Sequence, residues 1–389
     1  MRLPASSWHC GWEGGTLARL NDIRCIDPWL PLTIDSSAMD IALAHRYAYA
    51  LIVLAAQRGM ASISFLLFNI FLSLVASNAF SPSSVASQQS KFWSQNVDNN
   101  MPQSILSKLS TLSDLETKAF TPLVSNQYFT SNPKFCTSAN LVCASSVKTI
   151  PCIVYSQVHF DDNVTAPIQE AEPWSFFRLS VLKNGNKVTL PVLDNKFPNR
   201  AFLPPQIATS IQLSESELQR VFPTALSIPS TKASMDMSLR HCDAPAVKGE
   251  RRSCLKTLED MIEFSRESLG RKHMVALASE DTKGLGNQVV MVRNFTKPYK
   301  TEKIVACHEL FFPFATYYCH KLSLVEVYAV DVINPKKRGG IDKLFAICHM
   351  DTSPWTPTHV AFKLLKTSPG KGEVCHWIGE MDLLWVGYD

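Results

Sequence analysis

Four Cys-His dipeptides fall in the last quarter of the chain: Cys307-His308, Cys319-His320, Cys348-His349 and Cys375-His376. Ten residues separate the first from the second, 27 the second from the third, and 25 the third from the fourth. The whole chain holds ten histidines, so four of them behind a cysteine in one quarter is not a chance pattern. Adjacent side chains on a strand point to opposite faces, so each cysteine can face a core and pair while its histidine faces the other side. Three chemistries follow. Imidazoles gathered from His308, His320, His349 and His376 suit Cu(II) in a tetragonal nitrogen–oxygen field. A mixed Cys/His zinc site is the second, and it needs reduced thiols. In the third, the cysteines form structural disulfides and the histidines merely sit beside them.

The elements that must position these dipeptides are strands. After Asn287, the segments Val289–Phe295, Lys303–Phe312, Tyr317–Val332, Lys343–Met350, His359–Leu365 and Glu373–Ile378 are rich in β-branched and aromatic residues. Turn residues separate them, among them Lys297-Pro298, 336–340, Ser353-Pro354 and Pro369-Gly370-Lys371-Gly372. Ahead of them, Asn184-Gly185-Asn186 between Ser175–Leu182 and Lys187–Leu190 reads as a hairpin. Helical spacing marks Glu215–Phe222 and Leu255–Leu269, the latter closed by Gly270. Residues 80–171 read as loosely built, Ser- and Gln-rich at first, with helical patterns at Ile105–Leu115 and Lys118–Val124. The expected class is therefore α+β: a β-rich, disulfide-containing C-terminal domain with a few helices.

With 389 residues, 46% hydrophobic and 19% charged, the chain can bury a real core, which excludes a disulfide mini-scaffold and a wholly disordered protein. A net charge of +4, with no basic run longer than Lys336-Lys337-Arg338, gives no nucleic-acid footprint. No phosphate-binding loop, nucleophile-elbow or HExxH motif occurs, and no Ser-His-Asp set or paired carboxylates can be asserted.

The strongest apolar run, Phe65–Ala76, is too short to span a bilayer and fits the core of a signal peptide. It opens near Met60 and ends in Ser77-Asn78-Ala79, small residues of the kind a signal peptidase reads. The expected organisation is residues 1–59 as upstream sequence, 60–79 as signal peptide, 80–173 as an N-terminal region and 174–389 as the C-terminal domain. The rival is a membrane anchor over 41–76, which His45, Arg46 and Arg58 make costly. Secretion makes disulfides the default for the nine later cysteines and makes Asn163 and Asn294 glycosylation acceptors. Cys136 and Cys143 bracket a small loop that a local disulfide can close. Cys242 and Cys254 form a second local bridge or pair with the Cys-His set; six cysteines allow 15 connectivities. Cys152 is left over. His241 reads as a surface residue, His359 as structural. Asp351 and Trp355 read as supports for His349, by hydrogen bonding and packing respectively.

The Cys-His spacing, together with a Trp close to the C-terminus, resembles the plant BURP domain. Further matching stretches are Ser175-Phe176-Phe177-Arg178, Arg200-Ala201-Phe202-Leu203-Pro204, Cys242 to Glu250 with Cys254, Cys348 to Trp355, and Val374-Cys375-His376-Trp377. Phe92-Trp93 and Phe135 to Ala144 resemble the subgroup of the polygalacturonase non-catalytic beta subunit. That subgroup carries a long array of Phe-x-x-Tyr repeats, which this chain lacks; about 30 residues, Ser145 to Trp174, join the two parts. The resemblance implies a secreted, apoplastic glycoprotein of the cell wall, without catalytic residues of its own, that associates with polygalacturonase and pectin. It implies as the alternative a copper-dependent peptide cyclase that crosslinks Trp or Tyr of its own core peptide, with His308, His320, His349 and His376 as copper ligands. No repeated aromatic core motif is found in 80–173. A third role, implied by neither, is a metal retained only to stabilise the fold.

Overall fold

The computed structural model describes residues 84–125, 133–142, 173–244, 250–301, 303–334 and 340–388. All lie in the compact unit Ser81–Asp389. The expectations for 1–59 and 60–79, for Cys143, Cys152 and Asn163, and for Lys336–Arg338 fall outside the described residues. Among the described residues, no helix is long and apolar enough to cross a membrane.

Among the described residues, eleven strands form two antiparallel sheets, so the fold is α+β. The strands are β1 Phe176–Phe177, β2 Lys187–Thr189, β3 Arg252–Leu255, β4 His273–Leu277, β5 Val289–Thr296 and β6 Lys303–Leu310. Then come β7 Thr316–Ser323, β8 Val325–Ile333, β9 Ile341–His349, β10 Val374–Ile378 and β11 Asp382–Tyr388. The six-stranded sheet runs β1-β10-β9-β8-β5-β2 and the five-stranded sheet β3-β7-β6-β11-β4. The helices that matter below are α1 Val85–Asn96, α2 Asp114–Ser125, α3 Pro229–Asp243, α4 Leu258–Leu269 and α5 Val360–Leu365, and the expected helix at Glu215–Phe222 is present over Glu215–Val221.

Strand alternation divides the core. Ile304 and Ala306 of β6, Val325 and Val327 of β8, Ile347 of β9, Ile378 of β10 and Leu384 and Val386 of β11 form one cluster, so these faces of the two sheets pack on each other. The residues between them point away. Val305, Cys307, Tyr317, Cys319, Leu383 and Trp385 meet Trp93 of α1 and Leu258, Met261, Ile262 and Leu269 of α4. On the other sheet, Tyr328, Leu344, Ala346, Cys348, Cys375 and Trp377 meet Phe177, Leu182, Leu190 and Leu193. The described residues of this unit thus form a sandwich whose outer faces are covered by helices on one side and by a short turn and loop segments on the other.

Residues 84–142, expected to be loosely built, are bound into this core where they are described. The Trp93 and Trp385 ring centroids lie 5.5 Å apart. Asn99 exchanges both its side-chain hydrogen bonds with the backbone of Ala276, at 2.8 and 2.9 Å. Phe202 N–H donates to the Lys108 carbonyl, and Val142 N–H to that of Pro313, each at 2.8 Å. The Ser- and Gln-rich opening is itself a helix, capped by Ser84, with Gln89 and Trp93 buried.

Several local expectations are corrected. The Asn184-Gly185-Asn186 turn does not join a hairpin, because β1 pairs with β10 and β2 with β5, at opposite edges of the sheet. Gly185 takes φ 85°, and the turn bonds to β5 through Gly185 N–H to Val292 O and Val292 N–H to Asn186 O. The stretch Tyr317–Val332 is two strands in different sheets, broken at Leu324, which sits at φ 56°. His359–Leu365 is not a strand but the capped start and body of α5. Helix α4 begins at Leu258, since Leu255 ends β3 and Thr257 accepts from Asp260 N–H as the cap. Within Ile105–Leu115 only Ile105-Leu106, the end of a short helix Gln103–Leu106, and Asp114-Leu115, the start of α2, are helical, while α2 extends the Lys118–Val124 pattern in both directions. Helix α3, with its Ser and Met alternation, was not legible as a helix.

Candidate metal centre between the sheets

Strands β6 and β7 pair so that Cys307 lies directly opposite Cys319, and β9 and β10 so that Cys348 lies opposite Cys375. Both pairs are disulfides with Cα atoms 4.0 Å apart, and Cys242 bridges Cys254 with Cα atoms 5.6 Å apart. Cys136 is also disulfide-bonded. The two cross-strand bridges lie on the outward faces with the clusters described above, so the four following histidines turn inward. All four are buried, and all four line one cavity between the sheets.

That cavity is walled by Phe176, Ala306, Leu322, Ile347, Ile378 and Leu384, with Trp355 and His359 completing the polar and aromatic part. Its volume is about 10 Å³, room for one water-sized body. Within it the histidines form two pairs. His308 Nε2 and His320 Nε2 face each other at 3.4 Å. The rings of His349 and His376 stack with centroids 5.6 Å apart.

The outer nitrogens of three rings are anchored. His308 Nδ1 is 2.8 Å from Asp382 Oδ1, and His320 Nδ1 is 3.0 Å from Glu250 Oε1. His376 Nδ1 is 3.2 Å from the Trp377 carbonyl. A carboxylate or carbonyl accepts, so Nδ1 carries a proton in each of these rings, and a neutral ring then has its lone pair on Nε2. His359 is opposite in sense: its Nδ1 accepts from Ala361 N–H at 3.2 Å, capping α5, so its proton sits on Nε2. Burial lowers the His376 and His359 pKa values to about 4, and the His320 pKa as well, so these rings stay neutral at ordinary pH.

Two imidazole Nε2 atoms 3.4 Å apart in a buried site can share a proton between them, or, with both bare, take a cation. Two ring nitrogens bound to one ion at about 2.0–2.1 Å stand roughly 2.9 Å apart at a right angle and roughly 3.3 Å apart at a tetrahedral one. The His308–His320 pair fits that separation, and its carboxylate partners are what ligating histidines ordinarily have behind them. Among the described residues, no group of three or more His, Cys, Asp or Glu is gathered closely enough to hold one ion as it stands. The fit is thus to a two-imidazole site, with the second pair across the same cavity.

Other sequence-selected residues fall as follows. Trp355 packs edge-on against His349, centroids 4.9 Å apart, and against His359 at 4.5 Å. Asp351 does not support His349; it is exposed and accepts from Ser353 N–H at 2.9 Å. His241 is not a surface residue; it is buried, 6.3 Å from the Tyr318 ring. Asn294 is exposed on β5. Sequence reasoning missed Glu250 and Asp382 as partners of the histidines, and Tyr318, whose ring lies 5.2 Å from His320. Glu250 ends the motif that begins at Cys242, and Asp382 is in direct register with His308 on β11.

The matching motifs have structural work in this frame. Arg178 donates to the carbonyls of Lys371, at 3.0 Å, and Glu373, holding the loop before β10. Gly372 in that loop sits at φ 88°, where a Cβ would come within 2.9 Å of the Arg178 guanidinium. Arg200, fully buried, pairs with Glu309 at 2.9 Å and donates to Leu310 O at 2.6 Å. Compared with known proteins, residues 175–387 match the BURP domain. The chain belongs to the BURP domain family. The chain is similar to polygalacturonase-1 non-catalytic subunit beta of Solanum lycopersicum, 39% identical over 219 residues, which are 55% of this chain and 34% of that protein. It is also similar to polygalacturonase 1 beta-like protein 1 of Arabidopsis thaliana, 38% identical over 219 residues, covering 55% of this chain and 35% of that one. BURP domain-containing protein 12 of Oryza sativa is 37% identical over 220 residues, 56% of this chain and 35% of its own length. The chain spans about a third of the length of the curated relatives it matches.

Proposed function

We propose that this chain is a secreted, non-catalytic glycoprotein of the plant cell wall that associates with a catalytic polygalacturonase and with pectin. The observation that carries the reading is the similarity of its BURP domain to relatives named as non-catalytic subunits of polygalacturonase. The cavity between the sheets, at about 10 Å³, is far too small for a sugar ring, so on this reading pectin meets the outer surface. A surplus of basic side chains, +4 over the chain, suits an acidic polygalacturonate partner. The disulfides among the described residues and the exposed Asn294 sequon suit an oxidising route and an N-glycan. The test is co-sedimentation of the purified protein with polygalacturonate at low salt, and capture of a polygalacturonase by it. Retention in neither assay refutes the reading.

A second reading, that the site holds copper, is favoured by the 3.4 Å approach of His308 Nε2 to His320 Nε2 and by the four histidines on one cavity. Bound copper supplies one-electron redox chemistry. His308 and His320 would hold the ion from β6 and β7, with His349 and His376 facing it from the other sheet. Phe176, Leu322 and Leu384 give the cavity apolar walls, and His359 presents an N–H rather than a lone pair. Elemental analysis separates the cases: copper lost on His308→Ala with His320→Ala supports the site, and metal-free wild-type protein refutes it. A crosslinked Trp or Tyr in the mass spectrum of the loaded protein assigns cyclase chemistry. Loss of thermal stability on chelation, with pectin binding intact, assigns the ion to the fold.

A further inference from the structure

We propose that His273, Tyr388 and Tyr299 form a stacking platform for an acidic polysaccharide, with Arg271, Lys272, Lys300 and Lys303 around it to meet the carboxylates. The inference rests on the pectin part of the reading above and deepens it, by naming the surface that the polymer meets.

The platform crosses one end of the five-stranded sheet. His273 opens β4, Tyr388 closes β11 directly opposite it, and Tyr299 lies in the loop that leads into β6, on the other side of β11. The ring centroids of His273 and Tyr388 are 5.6 Å apart with planes inclined by 31°, and those of Tyr388 and Tyr299 are 6.0 Å apart at 33°. Rings at that spacing are offset rather than eclipsed, so each leaves part of its face uncovered. The His273 side chain keeps 47% of its surface open, and both tyrosines are only partly buried against the cluster between the sheets. Each step of the row is comparable to one sugar unit.

The row is held in place from two sides. Asp98, on the chain that leaves α1, accepts through Oδ2 from the Tyr388 hydroxyl at 3.1 Å and from Met274 N–H at 3.0 Å, and stands 3.4 Å from His273 Nδ1. Asp98 N–H in turn donates to the Met274 carbonyl at 2.9 Å. On the opposite face of β11 the Arg271 stem lies on Gly387, where a Cβ would come within 2.7 Å of it. Glycine at that strand position lets the Arg271 side chain cross the backbone next to Tyr388. A row fixed before binding loses little conformational freedom when a ligand arrives.

The surroundings select the ligand. Lys272 adjoins His273, Lys300 adjoins Tyr299 and Lys303 opens β6, and all three are exposed, as is Arg271. Among the described residues, the acidic group touching the row is Asp98, and it already accepts two hydrogen bonds. A sugar ring lays its C–H groups on an aromatic face, and a uronate adds a carboxylate at the ring edge. This surface offers a partner to each, so it fits a polyuronate better than a neutral glycan.

The test is calorimetric titration of the full chain with polygalacturonate oligomers, at low and high salt, with neutral galactan oligomers as the control. Tyr299→Ala is expected to weaken binding about 3- to 10-fold, and Tyr299→Phe to leave it unchanged, since stacking needs the ring and not the hydroxyl. Lys272→Ala with Lys300→Ala is expected to weaken it by a similar factor at low salt and little at high salt. Thermal unfolding is followed on every variant, and His273→Ala, at the exposed end of the row, decides if Tyr299→Ala does not fold. A lower melting temperature with unchanged affinity makes the row a mere plug at the end of the sandwich and overturns the proposal. Unchanged affinity in the lysine variant, or tighter binding of galactan, overturns the acidic assignment. Wild-type binding that all variants share places pectin elsewhere on the protein and leaves the wall reading standing. A wild type that binds no polygalacturonate at low salt removes the pectin reading and the platform together.

Discussion

Replacing Glu309 with Gln should destabilise the protein by about 3–5 kcal/mol, the usual cost of stranding a buried charge partner. Glu309 is fully buried and answers two cations: Lys108 at 3.1 Å and Arg200 at 2.9 Å. Asn195 Nδ2 donates to its other oxygen at 2.7 Å. The Arg200 guanidinium lies over the Phe197 ring, 4.9 Å from its centroid, and 5.3 Å from that of Phe311, so it cannot swing out to water. A neutral amide in place of the carboxylate would leave both cations buried without an anion. Lys108→Met removes one cation and leaves the Arg200–Glu309 pair, so it should cost clearly less, and Lys108→Met should offset part of the damage of Glu309→Gln. With a urea slope of about 2–3 kcal/mol/M, the Glu309→Gln midpoint should fall by roughly 1–2.5 M. The pH dependence has a definite sign. Burial pushes the Glu309 carboxyl up, but Lys108 and Arg200 outweigh it, and the net shift is downward from 4.5. A depressed carboxylate stabilises the fold above its unfolded pKa and loses that contribution as pH falls through 4.5 toward the folded value. The assay is urea unfolding under non-reducing conditions at about pH 7 and about pH 3, for both single variants and the double. A loss under about 1 kcal/mol in Glu309→Gln, or additive effects in the double variant, would refute the reasoning.

Three further outcomes follow from the same structure. Trp93→Ala removes a buried ring packed on Trp385 and should cost about 3–5 kcal/mol by thermal or urea unfolding; a loss under about 1 kcal/mol would mean the N-terminal segment is not held as described. A fragment of residues 174–389, which lacks Trp93, Lys108 and the Asn99 bonds to Ala276, should bind a hydrophobic dye and unfold less cooperatively than the full chain. Replacing Cys348 and Cys375 together with Ser should cost about 3–4 kcal/mol from the lost loop constraint, read as a lower urea midpoint that reducing agent shifts less than in the wild type.

The β-rich C-terminal half, the helix ending at Gly270 and the opposite facing of Cys and His in each dipeptide were all legible, because each depends on local period and nearest neighbours. What was not legible depends on partners far along the chain. His359–Leu365 has strand-like residues, but the side chain of His359 caps the backbone two residues on and starts a helix. Asn184-Gly185-Asn186 is a turn as read, yet its flanks find partners about 100 and 200 residues away rather than each other. Leu324 gives no hint of the left-handed backbone that sends the chain from one sheet to the other. At the site, the spacing singled out four histidines, but spacing cannot show that His308 meets Asp382 across 74 residues or His320 meets Glu250 across 70. Nor can it tell which of 15 pairings six cysteines choose.

Each cross-strand disulfide sits one residue from an inward histidine on both of its strands. If β9 slid by one residue against β10, every side chain on it would change face, and His349 would turn out as Cys348 turned in. The sulfur atoms would then no longer meet. The bridge thus works as a gauge of strand alignment: a correctly threaded sheet closes it, and a misthreaded one is left with two reactive thiols. Oxidation of the chain therefore reports whether the imidazoles face the gap between the sheets. A folding quality-control system that senses free thiols can discard the misaligned molecules without ever testing the site itself.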